Sequence, residues 1–95
     1  MFYFLEALAE AGVKLGLDAA DAKRLAHATF AGAAKLAAES PDDFATLRTK
    51  VTSKGGTTAA ALAVMAERQV KEAIIAAAEA ASARGREMGE QLGKD

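Results

Sequence analysis

The sequence predicts an all-α fold, a bundle of about five helices, from three observations. Ala supplies 26 of the 95 residues, and no residue favours a helix more. Larger apolar residues recur at three- and four-residue spacing, and no segment shows the strict alternation of a half-buried strand. Cap and stop residues divide the chain at intervals that suit helices.

The first helix is expected over residues 1–15, with Phe2, Leu5, Leu8 and Ala9 in register and Gly16 as its stop. No capping residue precedes it, so Met1-Phe2-Tyr3-Phe4 reads as the cut end of something longer. The aromatic trio is expected in a core or an interface. Asp18 reads as the cap of a second helix over 19–38, with Asp21 in its first turn. Leu25, Thr29, Ala33, Leu36 and Ala37 follow its period. Gly32 costs about 1 kcal/mol against Ala inside a helix, which close approach of another helix would offset.

Ser40 and Pro41 mark the cleanest boundary. Ser at the cap, Pro at the first helical position and Asp42 and Asp43 in the first turn predict a short third helix over 41–50. It is expected to turn Phe44, Leu47 and Val51 to the core. A fourth helix, capped by Thr57 or Thr58, runs to about Glu67. Glu67 and Lys71 are spaced for an i,i+4 pair, so periodicity allows continuation into the last helix, which starts near Val70. That helix carries Ile74, Ala77, Ala78 and Ala81 on one face. Gly85, Gly89 and Gly93 weaken its end, and the tail to Asp95 is expected to fray.

A single domain over 1–95 is the expectation from length. Setting Ala aside leaves 23 larger apolar side chains, too few for a substantial core in one copy. Burial is expected to be completed between chains. The 12 basic and 13 acidic residues are scattered and sum to −1, so no basic stripe points to nucleic acid and no polybasic segment to a membrane surface. No Cys is present, which removes disulfides and thiol chemistry. The opening segment has no basic start and carries Glu6, unlike a secretory signal. No apolar run is long enough to span a bilayer, and a soluble chain in a reducing, cytoplasmic setting is expected. His27 is the only His. With no second ligand at metal spacing it reads as a surface or interface side chain, and no metal site is expected.

The stretch VTSKGGTT, Val51 to Thr58, stands out from its Ala-rich surroundings. Gly55 and Gly56 permit positive φ or close approach to the backbone. A helix begins at once after them, and its first amides point out unsatisfied at the positive end of the helix dipole. A carboxylate or phosphate could sit there, held by amides and a Thr hydroxyl. A plain turn with an ordinary Thr cap fits the spacing as well. GxxxxGK[ST] is absent, so this is no P-loop.

VTSKGGTT, with FLEALAEAGVKLGL before it, TFAGAAKL in the second helix and KEAIIAAAEAASARGREMG at the end, resembles the C-terminal domain of pyrroline-5-carboxylate reductase. The resemblance covers essentially the whole chain in order. It implies an enzyme of proline biosynthesis that reduces the ring imine of pyrroline-5-carboxylate with NADPH or NADH. It also implies a helical domain interlocked with its partner as a homodimer, open to higher assembly of dimers. In the family an N-terminal Rossmann domain binds the nucleotide. No strand followed by GxGxxG occurs here, so that domain is absent and this chain is expected to bind no cofactor and to be inactive alone.

Carried over by position, the resemblance puts the substrate loop on Ser53 to Thr58. Amides around Gly55, Gly56, Thr57 and Thr58 would hold the substrate carboxylate, Val51 would form apolar wall, and the Thr58 hydroxyl would sit beside the ring nitrogen as the catalytic group. Two departures stand out. Many relatives have Pro where this chain has Lys54, and often Gly where it has Arg68 and Gln69. The alternative is a helical dimerisation module without catalysis. Nicotinamide preference is not readable from these residues.

Overall fold

The computed structural model of the chain describes residues 1–93. Lys94 and Asp95, where the sequence predicts fraying, lie outside the described residues. Among the described residues there are five helices and no strand: α1 Phe2–Lys14, α2 Ala19–Glu39, α3 Phe44–Lys50, α4 Thr57–Glu67 and α5 Val70–Gly93. The chain divides into two compact units, Met1–Arg48 and Thr49–Asp95.

In the first unit, α1 starts without a side-chain cap and ends as expected at Gly16, whose φ is 110°. Gly16 N–H donates to Val13 O at 3.0 Å, and Leu17 N–H donates to Gly12 O at 3.0 Å. These two bonds satisfy carbonyls that the helix end would otherwise leave open, and they need the left-handed φ that Gly supplies without strain. Asp18 then caps α2, its carboxylate accepting from Asp21 N–H at 2.8 Å. That amide holds the Asp18 carboxyl below its ordinary range.

The two helices form an antiparallel hairpin, because Phe4 meets Phe30 and Gly12 meets Ala22. The phenyl rings lie tilted at 54° with centroids 6.0 Å apart, within the favourable range for an aromatic pair. A Cβ placed on Gly12 would lie 2.9 Å from Ala22 Cβ. The close approach of helices expected at Gly32 is therefore found at Gly12 instead. At Gly32 no atom of the chain lies within 4 Å of an added Cβ. The inner face of α2 is Ala22, Ala26 and Phe30, of which Ala22 and Ala26 are buried. Leu25 and Leu36, which the periodicity also allows as a core stripe, are half exposed. Size decides between the faces: only small residues fit beside the Gly12 notch.

Gly12→Ala is accordingly expected to destabilise the hairpin, although Ala is the better helix former by about 1 kcal/mol. Overpacking costs about 1 to 3 kcal/mol when neither neighbour can move aside, and both atoms here belong to helix backbones or their Cβ positions. Thermal unfolding of the two proteins checks this. A variant more stable than the parent would show that α1 and α2 do not approach so closely.

The third helix starts three residues later than expected. Ser40 Oγ accepts from Asp42 N–H at 3.1 Å, closing a turn, and Asp43 caps the helix by accepting from Thr46 N–H at 2.8 Å. Two short polar side chains competed for the cap, and the one nearer the helix holds it. The Thr46 amide holds the Asp43 carboxyl below its ordinary range. Both capping carboxylates thus stabilise the fold above the ordinary Asp pKa of about 3.9, and that contribution is lost as pH falls through their lowered folded values. Phe44, expected in the core, is 82% exposed and Val51 is 59% exposed, while Leu47 is half-buried.

In the second unit, α4 and α5 are separate helices. Arg68 ends α4, and Gln69 follows with φ 56°, its N–H donating to Ala66 O at 3.2 Å. This is the left-handed C-terminal cap that Gly makes at Gly16, built here on a residue that is strained in it. The break puts Glu67 and Lys71 on different helices. Gln69→Gly is expected to raise stability by up to about 1 kcal/mol, since relief of the left-handed strain exceeds the added freedom of the unfolded chain. A fall in melting temperature would contradict the left-handed cap. Beyond it α5 continues through Gly85 and Gly89 for 24 residues, about 36 Å at 1.5 Å per residue.

Candidate functional site

All the residues expected to form a site, Val51, Ser53, Gly55, Gly56, Thr57 and Thr58, lie in the second unit between α3 and the first turn of α4. The connection is built from two turns. Thr52 N–H donates to Thr49 O at 3.1 Å, and Gly56 N–H donates to Ser53 O at 3.0 Å. The second bond closes a β-turn over Ser53-Lys54-Gly55-Gly56. Gly55, in its third position, has φ 75°, and Lys54 has no positive φ, so the turn is type II.

Gly56 comes next with φ −87° and ψ −176° and stands at the N-cap of α4. A Cβ here would collide with Ser53 Oγ and lie 3.2 Å from the Ser53 carbonyl oxygen. A side chain at position 56 would therefore require Ser53 to turn its hydroxyl away and its carbonyl to give slightly. Neither Thr57 nor Thr58 caps the helix, contrary to the expectation. The extended Gly56 starts α4 one residue early, Thr57 and Thr58 become its first two residues, and no side-chain bond caps it. The first intrahelical bond is Ala60 N–H to Gly56 O at 3.1 Å. The amides of Thr57, Thr58 and Ala59 therefore project from the helix end, where the dipole favours negative charge.

Around these amides Ser53 and Thr57 are exposed, Thr58 is half-buried, and Val51 is exposed at the end of α3. No acidic residue occurs between Asp43 and Glu67, whereas Lys50 and Lys54 flank the loop. The arrangement can bind a small anion through backbone donors, with a hydroxyl alongside. Gly as the cap was legible in principle, since Gly before Thr-Thr is itself an acceptable N-cap; the more familiar Thr cap obscured it.

His27 lies apart from the loop in sequence, on a groove of about 320 Å³ on the α1–α2 hairpin, which Phe2, Leu5, Ala9 and Ala26 line and Glu6 and Lys23 border. Among the described residues no group of three His, Cys, Asp or Glu could hold a metal ion. No helix among them is long and apolar enough to cross a membrane.

Residues 1–88 match the family model for pyrroline-5-carboxylate reductase dimerisation. The chain belongs to that family. The pyrroline-5-carboxylate reductase of Corynebacterium melassecola is 44% identical over 89 residues, 94% of this chain and 33% of that protein. The reductase of Haemophilus influenzae is 43% identical over 88 residues, 92% of this chain and 32% of that protein. The crystal structure of Plasmodium falciparum pyrroline carboxylate reductase with NADP bound is similar with a TM-score of 0.81 and 32% identity, over 83% of this chain and 32% of that one. The chain spans about a third of the length of the reductases it matches. Membership bears out the resemblance carried by VTSKGGTT and the segments around it, and the five helices bear out the expected all-α fold.

Proposed function

We propose that these 95 residues are the dimerisation and substrate-loop part of a pyrroline-5-carboxylate reductase, which converts the cyclic imine of pyrroline-5-carboxylate to proline. The observation that carries the reading is the uncapped start of α4 behind the Ser53–Gly56 turn, in a chain matched to this family over residues 1–88. The substrate has one carboxylate and one ring nitrogen. Gly56 N–H is held by Ser53 O, so the open amides of Thr57 and Thr58 suit the carboxylate, and the Thr58 hydroxyl on the same turn suits the nitrogen. Reduction adds a hydride to the imine carbon and a proton to the nitrogen, and a hydroxyl at the nitrogen orients the ring and can relay that proton. The hydride is supplied by NADPH or NADH held outside these residues, since no strand followed by GxGxxG occurs among them.

The working protein is a homodimer in this reading, with the helical parts of two copies completing each other's burial, and a cytoplasmic enzyme is assumed. Support comes from the family's description as a dimerisation domain and from the apolar surface each copy leaves open: Phe2 is 86% and Tyr3 87% exposed.

Titration of the chain with proline, followed by amide chemical shifts, tests the site. Shifts confined to Gly55 through Ala59 are expected, and addition of NADPH and imine should give no oxidation above background. Unperturbed loop amides at saturating proline in the complete protein would favour a helical dimerisation module without a substrate role.

A further inference from the structure

We propose that Lys54 is a specificity-determining residue that draws the carboxylate of the substrate to the α4 start; this rests on the functional reading above. Lys54 holds the second position of a type II turn. The turn itself gains nothing from Lys there, since Pro is the residue whose fixed φ suits that position. What Lys adds is charge. Lys54 is exposed, and among the described residues no acidic side chain pairs with it. The segment from Phe44 to Ala66 contains no Asp or Glu, so nothing near it in sequence neutralises its field.

Distance sets the size of the effect. The ends of a β-turn lie within about 7 Å, and Gly56 closes this one while capping α4. Lys54 lies inside that turn on a flexible four-carbon stem, and its ammonium is taken at a solvent-separated distance of about 8 Å from an anion on the Thr57 and Thr58 amides. At that separation one unit charge changes affinity about twofold in bulk water and about fivefold at half that dielectric. The same field is screened at high salt, because the Debye length falls from about 30 Å at 0.01 M to about 3 Å at 1 M.

The experiment uses the complete reductase that contains this chain, with Lys54→Gln, Lys54→Arg and Lys54→Pro, assayed from low to high ionic strength. Lys54→Gln should raise KM for the imine carboxylate about two- to fivefold at low salt, leave kcat unchanged, and converge with the parent at high salt. Lys54→Arg should behave as the parent. Lys54→Pro should melt no lower than the parent yet share the Gln variant's KM, separating charge from loop rigidity. Equal KM for Lys54→Gln and parent at all salt concentrations would overturn the proposal. So would a change confined to KM for NADPH, which would put the field on the dinucleotide phosphates. Thr58→Ala run in parallel keeps the two readings apart: activity lost there with Lys54→Gln unchanged refutes the Lys54 role alone, and full activity there refutes the site itself.

Discussion

Thr58→Ala in the complete reductase is expected to lower kcat/KM by about 2 to 4 kcal/mol, the usual loss for one well-placed polar group at a reacting centre. In the proposed site the hydroxyl meets the ring nitrogen and would strengthen that contact as charge shifts during reduction, so kcat should fall along with affinity. Thr58→Ser keeps the hydroxyl and should lose much less. The structure sharpens this test, because Gly56 and not Thr58 is the cap of α4. Removing the hydroxyl therefore breaks no capping bond, and Thr58→Ala should melt close to the parent. A fall in activity at unchanged melting temperature assigns the hydroxyl to chemistry. Parent-like kcat/KM in the folded variant would remove Thr58 from the mechanism.

The second large effect is on folding itself. Among the described residues only Ala22 and Ala26 are buried in the single copy, and Ala contributes little because burial stabilises by about 25 cal/mol per Å² of apolar surface. Each Leu, Ile or Phe covered by a partner would add about 1.5 to 3 kcal/mol, and Leu25, Leu36, Ile74 and Ile75 are all half exposed. Folding and association should therefore be one process. The melting temperature is expected to rise with protein concentration, and helicity to fall on dilution to nanomolar levels. Sedimentation alongside circular dichroism checks both. A monomer that keeps its full helicity at high dilution would overturn the dimer reading.

What could be read from the sequence follows from how local each signal is. The end of α1 at Gly16 and the start of α2 at Asp18 depend on side chains next to the backbone groups they serve, so both fell where expected. The loop was also visible, because Gly-Gly beside Thr-Thr is conspicuous in an Ala-rich chain. The start of α3 was ambiguous for a local reason: Ser40 and Asp43 both can cap, and the choice between them is a matter of competing turns. The inner face of α2 was ambiguous for a different reason. With Ala on every side, hydrophobic contrast is weak, and the deciding feature is a missing methyl on another helix, at Gly12. The bounds of the break at Glu67 and Val70 fell where expected, but continuation was left open because nothing about Gln announces the left-handed φ of Gln69.

The Gly12–Ala22 contact also governs how this hairpin can change over generations. With 2.9 Å between Ala22 Cβ and the place a Gly12 Cβ would occupy, position 12 cannot gain a methyl unless Ala22 gives way. Loss of the Ala22 methyl would relieve that contact, leaving Ala22 Cα at 3.5 Å. Exchanging the two residues, Gly at 22 and Ala at 12, keeps one methyl between the helices. Taking Ala22→Gly first avoids the crowded intermediate through which the opposite order passes. The two positions are thus coupled, and the coupling favours one order of change over the other.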